Sequence, residues 1–206
     1  KECYRNASII ADEYIFLVSP MCPEGTLKTL FAITRGDDRA KVYIHGETDN
    51  ISLKRQLIKY CTKEYILLLN THEVIGDNCV VLRDVLTQNP EHDAFNLNVV
   101  NYVYGIENVD NSVFNNIELR LFKNKEELLI TQFGTIAGIR EPLFINVVGI
   151  FNFCLIKSLA DGFDLLHLST QTNVNIIKRE YHKGKHQTSK IAIENCPLLM
   201  RERFGV

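Results

Sequence analysis

The sequence has no long uninterrupted hydrophobic segment, and this absence already excludes one class of protein. Its longest apolar region, Leu143–Ile156, is broken by Asn146, Gly149 and Asn152, and it is too short and too polar to cross a bilayer as a helix. The beginning of the chain shows no signal-peptide pattern. The sequence therefore predicts a protein without a transmembrane segment.

The chain also lacks an excess of charge of either sign. Its net charge is −2 over 206 residues, which gives no basis for general nucleic-acid binding. Hydrophobic residues make up 46% of the chain and charged residues 23%, as in ordinary globular proteins, so one domain or two small ones with a sizeable core is expected. The chain begins with Lys1 rather than Met, which suggests a fragment or a processed product.

No CxxC pair is present, although the chain has six cysteines. Scattered cysteines in a chain of this length favour reduced thiols in an intracellular, cytoplasmic protein. A disulfide or zinc framework is the less favoured alternative. The cysteines are Cys3, Cys22, Cys61, Cys79, Cys154 and Cys196.

The apolar run Tyr65–Leu69 organises the prediction of the fold. Its length and polar flanks predict a strand that is buried on both faces, as in a parallel sheet. The polar residues Asn70–Glu73 follow it directly, at the end of the strand where open α/β sheets bind ligands. Hydrophobic residues at helical spacing then predict a helix over Asp77–Gln88, capped by Asp77 or Asn78.

The first 90 residues alternate between helix and strand patterns, which predicts a parallel sheet with right-handed crossovers. The second half has longer alternating patterns, which predict a mixed, mostly β addition. In chain order, the predicted elements are a helix ending within Cys3–Ala11, a strand at Tyr14–Val18, a helix from Thr26 through Ile33, a strand at Lys41–His45, a helix over Asn50–Cys61, the strand and helix just described, strands at Ala94–Tyr104, Ile117–Phe122, Leu128–Ile139 and within Pro142–Leu155, a helix over Asp164–Tyr181 and a terminal segment at Ser189–Phe204.

Four short segments in this order resemble motifs of the family-two glycosyltransferases, which have the GT-A fold. The family's first donor-site loop, V-D-x-x-S-x-D-G-T, aligns with Val18–Thr26, and its D-A-D-E segment aligns with Asn70–Glu73. The family's R-L-F sequence appears as Arg120–Phe122, and its closing L-x-R-x-[FY] run is similar to the end of Pro197–Phe204. The resemblance covers nearly the whole chain and implies transfer of a sugar from a nucleotide-sugar to an acceptor hydroxyl.

The resemblance also implies a divalent metal, Mn²⁺ or Mg²⁺, that offsets charge on the leaving diphosphate. The two Asp positions of the family's D-x-D motif hold Asn70 and His72 here, whereas Glu73 is retained. His72 and Glu73 are therefore the candidate metal ligands, and the imidazole would shift the preference towards Zn²⁺. The alternative is that they only lead into the following helix, with a solvated acid. Asn70 is either a donor contact or a turn residue.

The remaining candidate residues also come from the resemblance. Ser19 replaces the Asp that recognises the base in relatives, and Glu24 replaces the second Asp of that loop. Lys54 or Arg55 stands at the basic position that meets a phosphate, although a solvated helix face is the alternative. Arg120 is either an acceptor-side residue or the partner of Glu118 or a helix acid.

Two further departures from the family bear on catalysis. The stretch that matches the family's V-H-E-like run, Gly134–Gly138, has no titratable side chain, and a later family His is replaced near Asn152. An inverting transferase needs a general base, and neither position supplies one. The strand and loop that open the family's fold should precede Cys3 and are absent from this sequence.

The sequence thus predicts an α/β fold, GT-A-like, with a mostly parallel central sheet in one domain over residues 1–206. Residues 1–92 form the nucleotide-sugar-binding half, and residues 93–206 form the acceptor-side half. Three functions stay open: an active glycosyltransferase, a catalytically degenerate domain that serves as a binding or structural module, and a part of a larger protein or assembly. The expected partners are a nucleotide-sugar and an acceptor if the protein is active, or another protein, but not a nucleic acid.

Overall fold

The structure is a computed structural model, and it describes residues 2–46, 49–103, 108–110, 117–131, 136–139, 142–153 and 188–190. It has a mixed α/β fold, as the sequence predicts. Its elements are α1 (Glu2–Ala7), β1 (Tyr14–Val18), α2 (Glu24–Thr34), β2 (Ala40–Ile44), α3 (Asn50–Tyr60), β3 (Tyr65–Leu67), β4 (Glu73–Ile75), α4 (Val81–Gln88), β5 (Ala94–Val103), β6 (Asn108–Asp110), β7 (Ile117–Lys123), β8 (Leu129–Ile130), β9 (Ile136–Ala137), β10 (Leu143–Phe153) and β11 (Thr188–Lys190).

The first half begins with one parallel strand pair. β1 and β2 run parallel with Tyr14 opposite Ala40. The connection between them is α2, as expected for a β-α-β crossover. The next helix, α3, begins where the carboxylate of Asp49 accepts hydrogen bonds from the backbone N–H groups of Ile51 and Ser52, at 3.0 and 2.9 Å.

The second sheet is mixed. Its central strands lie in the order β3, β7, β5, β10 and β4, and β6 and β11 extend it from β5. β5 and β10 are parallel, whereas β7 is antiparallel to both of its neighbours, β3 and β5. The described strand pairs of this sheet are therefore partly parallel and partly antiparallel, and the mostly parallel sheet stays a prediction.

The strand predicted at Tyr65–Leu69 is present over Tyr65–Leu67, and its described pairing, with β7, is antiparallel, so its place in a parallel sheet stays a prediction. The prediction for the segment after it is wrong. The segment that follows contains an additional strand, β4, which pairs antiparallel with β10. Because β4 occupies Glu73–Ile75, the next helix begins only at Val81, and neither Asp77 nor Asn78 is its capping residue.

The core lies on both faces of the mixed sheet. On one face, Leu82 of α4 belongs to a cluster with Phe95 and Leu121. On the other face, Ile58 of α3 belongs to a cluster with Ile66 and Phe122. Because neighbouring residues of a strand point to opposite faces, the sequence Leu121-Phe122 supplies one buried side chain to each cluster.

The loop before β1 is tied to the loop before β3. The Glu13 carboxylate accepts hydrogen bonds from the backbone N–H and the hydroxyl of Thr62, at 2.8 and 2.9 Å, and it pairs with Lys41 at 2.7 Å. Partial burial alone would raise the pKa of Glu13, but the bonds from Lys41 and Thr62 outweigh it and hold the pKa below its ordinary value.

Several predictions fall outside the described residues. These are the helix over Asp164–Tyr181, most of the terminal segment Ser189–Phe204, Gly134 and Thr135 in the position of the family's V-H-E-like run, and two of the six cysteines. The four cysteines within the described ranges are free thiols in the structure. No helix in the described ranges is both long and apolar enough to span a membrane.

Candidate functional site

The polar turn between β3 and β4 forms the candidate site. The Glu73 backbone N–H donates to the Asn70 carbonyl at 3.0 Å, which closes the turn. The Glu73 side chain folds back over it and accepts hydrogen bonds from the Asn70 backbone N–H at 2.7 Å and from the Asn70 side-chain amide at 2.8 Å. Asn70 is thus a turn residue whose amide orients the Glu73 carboxylate, which favours the structural alternative over a direct donor contact.

The Glu73 carboxylate is held by a bidentate ion pair with Arg120. Arg120 Nη2 donates to Glu73 Oε1 at 2.8 Å, and Nη1 donates to Oε2 at 3.1 Å. The exposed fraction is 1% for the Glu73 side chain and 11% for the Arg120 side chain. Each carboxylate oxygen therefore accepts one bond from the guanidinium and one from Asn70, and neither faces water.

The Arg120 guanidinium has no donor left for a substrate. Its Nε donates to Glu118 Oε2 at 2.9 Å, its Nη2 also lies 2.9 Å from Glu118 Oε2, and its Nη1 also lies 3.4 Å from the Leu68 carbonyl. Sequence reasoning allowed either a pairing with Glu118 or an acceptor-side role, and the geometry shows the pairing with Glu118. It missed the pairing with Glu73, which lies 47 residues away along the chain.

Helix α1 covers the same turn. Cys3 Sγ lies 3.5 Å from the Asn70 carbonyl oxygen. Burial, with a further contribution from the charge of Glu73, raises the pKa of the Cys3 thiol to about 11. The thiol is therefore protonated at neutral pH and acts as a weak hydrogen-bond donor to the turn. Nothing in the sequence pattern connected Cys3 with this corner.

His72 lies beside the ion pair without joining it. Its Nδ1 is buried and has no hydrogen-bond partner among the described residues. Burial lowers the pKa of His72, Glu73 opposes this shift, and the Arg120 guanidinium adds to it. The imidazole is consequently neutral at pH 7.

The described residues do not fit the divalent metal that the family resemblance implies. Both oxygens of Glu73 are engaged, and a dication bound to them would lie against the positive charge of Arg120. Asn70 directs its amide nitrogen, a donor, at the carboxylate. No group of three or more His, Cys, Asp or Glu side chains with ligand geometry occurs in the described part of the chain. The residues of this turn therefore do not form a site for a divalent metal ion.

The other predicted donor-site residues do not converge on this turn. Ser19 Oγ accepts from the Met21 backbone N–H at 3.3 Å. Glu24 and Lys28 form an exposed pair in the first turns of α2, at 2.7 Å. Among the described residues, no hydrogen bond or ion pair joins Ser19 or Glu24 to the Asn70–Glu73 turn.

The two basic candidates on α3 have different environments. Arg55 donates from Nε to the Ile130 carbonyl at 2.7 Å and so anchors α3 to β8. Lys54 is partly buried on the same helix. The backbone of Asn152, the position of the replaced family His, lies opposite Glu73 in the β10–β4 ladder.

Comparison with known proteins does not assign the chain to a family. No model of a known protein family matches the chain, and no curated protein is significantly similar to it in sequence.

Proposed function

We propose that this chain is a catalytically degenerate domain with a GT-A-like fold, in which the former metal corner has become a structural ion pair. The domain then serves as a binding or structural module. The contact between two of the motif segments supports this proposal. Asn70–Glu73 and Arg120–Phe122 are far apart in sequence, yet they meet through the Glu73–Arg120 pair and the backbone bond from Leu68 to Arg120, at 2.8 Å.

The proposed loss of metal-dependent catalysis rests on one observation. Both oxygens of the Glu73 carboxylate already accept hydrogen bonds from Asn70 and Arg120. Breaking a buried ion pair by removing one partner costs about 3–5 kcal/mol, so a metal that drew Glu73 away from Arg120 would have to offset a cost of this size. The described residues Ile136–Gly138, within the stretch that matches the family's V-H-E-like run, also lack a titratable side chain.

An active transferase is the second candidate, and His72 favours it. Its imidazole is neutral and so has one unprotonated ring nitrogen, and because Nδ1 is buried, Nε2 is the atom that would take a proton from an acceptor hydroxyl. Sugar transfer from a nucleotide-sugar would then proceed with the nucleotide held by side chains rather than by a metal at Glu73.

The test is a thermal-shift and turnover screen with uridine, guanosine, cytidine and thymidine diphosphates and their sugar conjugates, each with and without Mn²⁺, Mg²⁺ or Zn²⁺. A ligand at a hundred times its Kd stabilises the native state by about 2.7 kcal/mol, which such a screen detects. We expect no metal-dependent shift and no turnover. A shift that requires both nucleotide and metal would contradict the proposal.

Two variants separate the candidates. Metal-independent binding with turnover that is lost in His72→Ala would establish the second candidate. Glu118→Gln serves as the control, because Glu118 touches the same guanidinium but its side chain is 50% exposed. Turnover that responds equally to both variants would exclude His72 as the base.

A further inference from the structure

Helix α2 is apolar on both of its sides, although one side faces water. Its inner side is partly or fully buried and consists of Leu27, Leu30, Ile33 and Thr34. On its outer side, the Phe31 side chain is 52% exposed, and Ala32 beside it is exposed as well. A single exposed phenylalanine is common on protein surfaces, so Phe31 alone does not indicate a partner. The charged residues around it do.

Four exposed residues form one stripe along the outer side of α2. They are spaced by four, three and four positions, which keeps their side chains on one face of a helix. In chain order they are Glu24, Lys28, Phe31 and Arg35. Arg35 directly follows the last helical residue, and its φ of −59° is helical, so its Cβ continues the same line. These four residues are the α2 stripe.

The α2 stripe is complementary to itself when two copies run antiparallel. Its spacing is the same from either end, so the first residue of one stripe lies opposite the last residue of the other. Glu24 is then opposite Arg35 of the second copy, and Lys28 is opposite Phe31 of the second copy. In a parallel pair, Glu24 would instead lie opposite Glu24 and Lys28 opposite Lys28. The order of charges therefore favours the antiparallel arrangement.

Both kinds of contact are favourable in chemistry. The carboxylate of Glu24 and the guanidinium of Arg35 have opposite charges, and the antiparallel arrangement also brings the positive end of one helix dipole beside the negative end of the other. The aliphatic part of Lys28 can cover the Phe31 ring while its ammonium group meets the ring face. A two-fold axis repeats each contact, so the pair has two of each.

The contact that these charges make within one copy is weak. Lys28 Nζ lies 2.7 Å from Glu24 Oε1, but the two side chains are 74% and 80% exposed. An exposed pair of this kind contributes little stability, because water solvates both charges. Glu24 and Lys28 are therefore accessible to groups on another molecule.

We infer that the outer side of α2 is a self-association surface, on which α2 of a second copy of this chain packs antiparallel. Helix axes about 8–10 Å apart bring the opposed side chains of two such stripes into contact. Two helices of 11 residues bury less than the roughly 1,200 Å² of a standard stable interface, so the association should be weak. Dilute protein then stays monomeric. This inference depends on α2 and not on the proposed function.

Sedimentation velocity over a range of protein concentrations tests the self-association. We expect monomer at about 10 µM and a growing fraction of dimer towards about 1 mM. A chain that stays monomeric over the whole range would overturn the inference and leave this face to a different protein. Species larger than a dimer would also overturn it, because a two-fold contact closes on itself.

Reversal of single charges tests the arrangement of the two helices. Glu24→Arg places two positive charges opposite each other, and Arg35→Glu places two negative charges opposite each other. Each variant alone should dimerise about tenfold or more weakly than the original chain. An equimolar mixture of the two variants should recover the original affinity within about threefold, because every acid then faces an arginine. Failure of the mixture to associate would overturn the antiparallel arrangement.

Lys59→Glu is the matched control for net charge. Lys59 is exposed in the last turn of α3, and its reversal changes the net charge by the same amount as Arg35→Glu. The control should dimerise like the original chain. An equal loss in Lys59→Glu and Arg35→Glu would show that net charge governs association and would contradict the role of the α2 stripe. Circular dichroism confirms that each variant is folded before its association is measured.

Discussion

Removing one partner of the Glu73–Arg120 pair should destabilise this protein more than removing one partner of any other charged pair that the structure describes. Arg120→Met keeps the volume and the aliphatic part of the side chain but removes the guanidinium. The Glu73 carboxylate, 1% exposed, would then retain only its two bonds from Asn70. Removing one partner of a buried pair costs about 3–5 kcal/mol. For a chain of this length, that loss lowers the melting temperature by roughly 6–20 °C.

A double variant separates the ion pair from general damage to the core. When Glu73→Gln is combined with Arg120→Met, no buried charge is left alone, and the amide oxygen of the new glutamine side chain can still accept from Asn70. The double variant should therefore lose less than the sum of the two single losses, by about 1–3 kcal/mol. Glu73→Gln alone should cost less than Arg120→Met, because Arg120 would still bind Glu118.

Urea unfolding at neutral pH, followed by circular dichroism, gives these free energies from the transition midpoints. Glu118→Gln is the control, and it should cost less than about 1 kcal/mol, since the Glu118 side chain is half exposed. If Arg120→Met cost no more than this control, or if the two single losses were simply additive, the pair would not be the buried unit that the geometry indicates.

Three further changes test other parts of the fold by the same unfolding measurement. Gly138→Ala should lower the free energy of unfolding more than Gly36→Ala does. Both glycines have positive φ angles, +86° and +82°, at which a side chain costs about 1–2 kcal/mol. Only at Gly138 would the added Cβ also lie 2.5 Å from a backbone oxygen. Equal losses would contradict the close approach. Phe122→Ala should cost about 3–5 kcal/mol, because Phe122 is fully buried, whereas Phe31→Ala, at a side chain that is 52% exposed, should change stability by about 0.5 kcal/mol or less. The depressed pKa of Glu13 stabilises the fold above pH 4.5, its ordinary pKa, and this contribution is lost as the pH falls through the lower folded value. Glu13→Gln should therefore destabilise the protein at pH 7 and have little effect well below pH 4.5, and an equal effect at both would refute the linkage.

Local sequence patterns predicted the early elements well. The run Tyr14–Val18 has polar residues on both sides, and the strand observed there has the same bounds. Asn50–Tyr60 forms the predicted amphipathic helix to within one residue, because Asp49 caps it and its apolar residues recur at helical spacing. Both elements depend on features within a few residues of one another, which a single sequence displays.

The pairing of strands and charges depends on residues that are distant in the chain, and there local patterns did not suffice. β4 is three residues long and is stabilised by β10, more than 70 residues later. A strand this short has no periodicity to recognise. Glu73 stood out as a polar residue beside a buried strand, but only the fold shows that it faces Arg120 and not a ligand. The sequence offered one signal for this ion pair. Glu73 precedes the apolar pair Val74-Ile75, and Arg120 lies in a later segment whose residues alternate between apolar and polar.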